Sequence, residues 1–249
     1  MVRIVPAVTA AAAVMAVLTP GGAAAAAPCG PASSARTVTL TGVSWWVRDS
    51  VGSRQGPGPN VFDCRNVSAT RGGGVRMIIR KRHGVWTSSQ IHPYEQAGYG
   101  YGRYEWTLDR RSVAQLPASA VLGLFTWSQD PAFANREIDI EVTRWGIPRR
   151  PRTSHRIPVW FSVQRGAGMY PYQRRAPLPV GGKSVAFSLD WGPDRIQFGV
   201  DGTVVWDMSK GVPPEGGVVV PAINLWLTEG RPAPARVLVR RFSYERLLR

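Results

Sequence analysis

The stretch Arg195-Ile-Gln-Phe-Gly-Val-Asp-Gly-Thr203 decides the fold. A short run holding Ile, Phe and Val ends in Asp-Gly, a pair that accepts the positive φ values of a tight turn, so residues 195–200 read as a strand entering a hairpin. The same signature recurs outward in both directions. Residues 185–190, 218–227 and 237–244 read as strands around it, and 38–47, 75–80, 103–108, 120–127, 137–143 and 159–164 precede it. Most are rich in Val, Ile, Trp and Phe and are bounded by Gly or Pro clusters. Only 110–116 offers a helical turn. Strands without alternating helices make an all-β sandwich or jelly roll, not βαβ units.

Composition agrees. The chain has 249 residues, 44% of them hydrophobic, with ten tryptophans, which excludes a disordered or collagen-like polypeptide. That length holds one ordinary domain with a full core and shows no internal repeat or convincing linker. The N-terminus reads as something other than fold. Met1-Val-Arg3 is a positive head, residues 4–18 are apolar but short for a membrane span, and residues 23–27 form an Ala ladder. Residues 1–26 are therefore expected to be a secretory signal and 27–249 the mature domain, exported, outside the membrane and monomeric. In an oxidising compartment the two cysteines, Cys29 and Cys64, are expected to pair. Two thiols and three scattered histidines (His83, His92, His155) do not make a zinc site.

Chemistry concentrates at Glu137-Ile-Asp-Ile-Glu141. Side chains on a strand alternate between faces, so Glu137, Asp139 and Glu141 share one face while Ile138 and Ile140 enter the core. A chain with only 16 acidic residues sets three of them within five positions, where they repel one another to no benefit on a plain solvated surface. Paired carboxylates suit glycoside hydrolysis, in which one attacks the anomeric carbon and one protonates the leaving oxygen. Residues four apart on a straight strand lie roughly 13 Å apart, whereas a retaining mechanism needs carboxyl groups about 5–5.5 Å apart. Two long glutamate side chains leaning inward on a concave, twisted sheet can close that gap. Asp139 between them perturbs both protonation equilibria.

These residues and their surroundings resemble glycoside hydrolase family 16. The Glu137 to Glu141 run is similar to the family signature. Tyr99-Gly-Tyr-Gly-Arg-Tyr-Glu105 resembles the strand before it, and Leu122-Gly-Leu-Phe-Thr-Trp127 the strand feeding it. Asp190-Trp-Gly-Pro-Asp194 with Val200-Asp-Gly202 resembles the later hairpin, and Ile223-Asn-Leu-Trp226 another sheet strand. Asn60-Val-Phe-Asp-Cys64 is similar to the early segment of bacterial licheninases. The motifs run in order across about residues 43–244.

The resemblance implies a concanavalin-like β-jelly-roll sandwich with a concave substrate cleft. It also implies endo-acting, retaining cleavage of a β-linked polysaccharide, with β-1,3- or mixed β-1,3/1,4-glucan as the first expectation. It makes Glu137 the nucleophile, Glu141 the acid/base and Asp139 the assisting carboxylate. Trp127 falls where the family has a cleft aromatic, and Asn224 and Trp226 lie on a cleft strand. Trp145 and Gln164 complete the expected substrate contacts, with Gln90 where several relatives have a substrate-binding glutamate. Indoles suit sugars because a pyranose has an apolar face to stack. The sequence also departs from the pattern. Trp160 and Ser162 stand where many licheninases have other polar residues, and Cys29 replaces a family cysteine near position 88 as the partner of Cys64. No cofactor is expected, and structural calcium finds no dense carboxylate loop.

The net charge is +15, and residues 144–156 form a basic segment holding Arg144, Arg149, Arg150, Arg152 and Arg156. Such a segment would steer an anionic polysaccharide or hold the protein at a polyanionic cell wall. Nucleic acid is not the expected partner, since no helix-turn-helix, zinc or aromatic-basic platform is present. The rivals to a hydrolase are a lectin-like binding module on the same fold and a transglycosylase.

Overall fold

The computed structural model describes residues 36–58, 60–96, 98–128, 130–133, 136–144, 157–166, 169–228 and 231–247. The expectations for Cys29, Trp145 and the N-terminal segment lie outside these residues. Strands β1 (Thr37–Leu40) and β2 (Val43–Val47) form the first hairpin. Next come β3 (Val61–Phe62), a 3-10 turn at Cys64–Asn66 and β4 (Val67–Ala69). A second hairpin joins β5 (Val75–Arg82) to β6 (Val85–Pro93). Strand β7 (Gly102–Asp109) runs through helix α1 (Arg110–Ala114) into β8 (Ala120–Ser128). A 3-10 turn at Pro131–Phe133 leads to β9 (Ile138–Thr143), then β10 (Pro158–Val163), β11 (Tyr172–Pro177) and β12 (Ser184–Trp191). Finally come β13 (Ile196–Val200), β14 (Thr203–Met208), β15 (Val219–Leu227) and β16 (Ala235–Arg246). No helix among the described residues is long and apolar enough to cross a membrane.

Hydrogen bonding orders the strands β11-β10-β9-β8-β15-β6-β5-β16-β7-β12-β13-β14, with β1 and β2 added at β6. Every pair is antiparallel except the short β3–β6 contact. Strand β6 connects two layers. Its first half pairs β5 through Arg80 and Thr87, and its second half pairs β15 and β2 on either side of Ile91. The front layer is therefore β11-β10-β9-β8-β15-β6-β2-β1, and the back layer runs from β5 to β14. The ladder folds over on itself. Phe161 of β10 lies 5.2 Å from Phe198 of β13, near the other end of the path, and Trp45 of β2 meets Phe242 of β16 edge-on at 5.0 Å. Each such aromatic pair adds about 0.5–1.5 kcal/mol beyond the area it buries. This is the all-β jelly-roll sandwich that the strand pattern implied.

The turns explain where strand boundaries moved. The expected 38–47 strand is a hairpin, because Thr41 and Gly42 adopt φ values of 52° and 78° and fold Leu40 onto Val43. His83 and Gly84 do the same between β5 and β6, at 45° and 82°. Asp201 and Gly202 make the expected turn at 49° and 77°, pairing Val200 with Thr203. The expected helical turn is α1, capped by Asp109, whose Oδ1 accepts from the Ser112 N–H at 2.9 Å.

Candidate active site

Strand β9 lies between β8 and β10, so register decides what surrounds its acidic face. Glu141 has Gly123 on one side and Trp160 on the other, and Asp139 has Phe125 and Ser162. Directly paired residues project from the same face of a sheet. The Glu141 row therefore continues through Asn224 to Gln90 in one direction and through Trp160 to Arg175 in the other. Ile138, Ile140 and Val142 point the opposite way and are fully inside the core. Glu137 stands one residue before β9, and its carbonyl accepts from the Gln164 N–H at 2.8 Å, which extends the ladder by one step. The three carboxyls thus share the front face, as two-residue alternation required.

Burial sets their protonation. Loss of water pushes Glu141 up to about 8, with repulsion from Glu137 adding to it, and pushes Glu137 up to about 7. Asp139 rises well above the ordinary carboxylate range, first through burial and then through the charges of Glu137 and Glu141. The Ser162 hydroxyl donates to Asp139 and opposes that rise. Tyr170 belongs to the same group. Its phenol is pushed up by burial and by the carboxyls of Asp139, Glu137 and Glu141.

Around the carboxyls several buried polar atoms have no protein partner: Asp139 Oδ2, Gln164 Oε1, Trp127 Nε1 and Trp160 Nε1. Each such atom costs about 1–3 kcal/mol while it stays unsatisfied. Trp127 and Trp160 are half-buried, each with part of its apolar ring accessible and its indole N–H turned inside. Beyond Trp127, Phe133, Arg136, Pro214 and Gly216 line a recess at the end of β8.

The other expected contacts sit as follows. Asn224 is 4% exposed, and its Oδ1 accepts from the Gly123 N–H at 3.1 Å. Gln90 is 6% exposed, and its Oε1 accepts from Arg48 Nη1 at 2.7 Å. Trp226 shares the face of Asn224 but is 8% exposed and closes against the loop at Gly58. Cys64 is buried on its 3-10 turn. Sequence reasoning missed Arg48 and Tyr170, neither of which lies in a motif. Among the described residues no group of three His, Cys, Asp or Glu side chains is placed to hold a metal ion.

No protein-family model matches the chain, and neither does any curated protein. Its likeness to known proteins is structural. The chain superposes on a β-glucanase of Bacillus licheniformis with a TM-score of 0.60 at 16% identity, over 85% of this chain and 98% of the other. A laminarinase from Flavobacterium sp. UMI-01 gives 0.60 at 15% identity, over 80% and 92% of the two chains. The fold is that of the family 16 glycoside hydrolases. A further neighbour, at 0.56 and 14% identity over 80% and 90%, is an immunostimulatory antigen and pseudo β-1,3-glucanase of Mycobacterium tuberculosis. At these identities it is the fold that is shared.

Proposed function

We propose that this protein is a secreted, endo-acting glycoside hydrolase that cleaves a β-linked polysaccharide with retention of configuration. One observation carries the reading: three carboxyls share the front face, where burial raises all of them above the ordinary carboxylate range. A raised range lets one glutamate keep a proton for the leaving oxygen at a pH where the other can ionise and attack. The Glu137 carboxylate attacks the anomeric carbon while the Glu141 carboxyl protonates the glycosidic oxygen, and the bond between that carbon and oxygen breaks. Glu141, now ionised, takes a proton from water. The water oxygen attacks the same carbon and releases Glu137. Asp139 lies between them and holds the charge balance of the pair. Trp127 and Trp160 stack sugar rings, while Asn224, Gln164 and Gln90 receive hydroxyls.

Neighbours that are a β-glucanase and a laminarinase support a β-glucan as substrate. The positive head and apolar run of residues 1–26 support export of a mature domain from residue 27, with Cys29 bridged to Cys64. The domain acts as a monomer and uses no cofactor. One observation favours a second reading, a binding module without turnover: the fold also occurs in a pseudo β-1,3-glucanase.

A polysaccharide panel assayed for new reducing ends tests the proposal. The hydrolase reading expects cleavage of at least one β-glucan, with internal cuts that lower viscosity early, and loss of cleavage in Glu137→Gln. Retention of a glycan on affinity gels without any cleavage would favour the binding module.

A further inference from the structure

We propose that the cleft is built for a polysaccharide bearing acidic groups, carboxylate or sulfate, and that Arg136 and Arg175 receive them while Arg48 adds a fixed positive charge at the far end. The inference rests on the hydrolase reading only for the path of the sugar chain.

The charge distribution differs sharply between the two layers. Among the described residues the ion pairs lie on the back layer, its loops and the turn at Asp63, for example Arg103 with Asp190, Arg110 with Asp201 and Arg240 with Asp109. The front-layer strands contain no acid other than Asp139 and Glu141, with Glu137 just before them. Among the described residues Arg48, Arg136 and Arg175 form no ion pair with an acid.

Those arginines are held instead by aromatic rings. The Arg48 guanidinium lies 4.1 Å from the Phe62 ring centre, Arg136 lies 5.1 Å from Phe133, and Arg175 lies 5.3 Å from Trp160. Among the described residues these are the cation–π contacts, and all three are at the cleft. An aromatic shelf fixes the plane of a guanidinium and leaves its charge uncancelled. At Arg136 and Arg175 the edge is also available for a two-pronged contact with a carboxylate or sulfate, whereas Gln55, Gly56 and Gln90 already occupy the edge of Arg48. An acid partner would have cancelled the charge and taken the edge.

Their positions span the substrate path. Arg48 bonds Gln90 at one end of the cross-strand row, Arg175 pairs Trp160 at the other, and Glu141 lies between. Five strand spacings separate Gln90 from Arg175, roughly 24 Å. Arg136 borders the recess beyond Trp127. Arg48 is the most constrained, with Gln55 Oε1, the Gly56 carbonyl and Gln90 Oε1 all accepting from it. Burial lowers it to about 10, so it remains a fixed cation at neutral pH. A glutamate at position 90 would have neutralised it, and glutamine does not. The raised protonation range of the three carboxyls also reduces their repulsion of an acidic chain.

The test compares retention of paired glycans on affinity gels by the protein and by Glu137→Gln, which binds without turnover. One pair is a uronate-bearing β-glycan with its carboxyl-reduced form, and the other a sulfated galactan with its desulfated form. At low salt at least one acidic member should be retained about tenfold more tightly than its neutral form, and the pair that shows this identifies the group recognised. Arg136→Gln with Arg175→Gln, both exposed positions, should lower that preference about tenfold, as should high salt. A melting curve confirms the double variant is folded. Equal retention of acidic and neutral forms, or a preference that survives the double variant, overturns the proposal. So does equally tight, arginine-dependent retention of single-stranded DNA, which would make the cleft a general polyanion surface. Retention of an acidic glycan with no cleavage of any glycan would leave this inference standing and sink the hydrolase reading instead.

Discussion

Asn224 reaches across from β15 to Gly123 on β8, where its Oδ1 accepts the Gly123 N–H and fills the space that a methyl group at position 123 would need. Gly123 is also the register partner of Glu141, so this contact forms the floor beneath the acid/base. Gly123→Ala should displace Asn224, lowering stability by about 1–3 kcal/mol and kcat/KM by about tenfold or more. Thermal melts and initial rates check both. Unchanged kinetics in a folded variant would remove Asn224 from the site.

The raised protonation range of both glutamates predicts a pH optimum near neutral. Turnover needs Glu137 ionised and Glu141 protonated, and these titrate at about 7 and about 8. The kcat/KM profile should be a bell centred between those values, its limbs belonging to the coupled carboxyls together. An activity plateau reaching down to the ordinary glutamate value of 4.5 would contradict the buried, mutually repelling arrangement.

Stability should respond in the opposite sense to most acid-containing proteins. Glu141 is raised from 4.5 to about 8, so the folded chain holds a proton that the unfolded chain releases, and stability falls as pH rises between those values. Glu141→Gln carries no charge to bury. It should melt at higher temperature than the parent protein above about pH 8, and the gap should close below pH 4.5. A gap independent of pH would show that Glu141 is not desolvated.

Much of the fold was legible because two-residue alternation and Asp-Gly are local signals. What escaped depends on distant partners. Strand β6 reads Trp-Thr-Ser-Ser-Gln-Ile-His, too polar for a buried strand, yet Asn60, Asn66 and Arg48 satisfy Ser88, Thr87 and Gln90 from other parts of the chain. Strand β11 is an exposed edge whose arginines resemble loop, although a charged edge also blocks unwanted strand pairing. The turn at Thr41 was hidden because a β-branched residue rarely adopts a φ of 52°. The carboxyl triplet was readable from spacing alone. Arg48 was not, because its partner Gln90 lies 42 positions away, and Tyr170 meets the carboxyls only through the fold.

Stacking should separate binding from chemistry. Trp160 lies beside Glu141 and under Arg175, half-buried with an unpartnered N–H. Replacing it or Trp127 by alanine should raise KM about two- to twelvefold, the equivalent of about 0.5–1.5 kcal/mol, while kcat changes far less. A fall in kcat alone, with KM unmoved, would place these rings in the core's support of β9 instead of in sugar binding.

The central claim is that Glu137 attacks the sugar. Glu137→Ala, assayed with a substrate carrying an activated leaving group, tests it directly. Turnover should vanish and return with added azide, which enters the space left by the carboxylate and attacks the same carbon from the same side. One displacement then gives a glycosyl azide of configuration opposite to the substrate's. Near-normal turnover in the folded variant, or an azide product of retained configuration, would contradict the account.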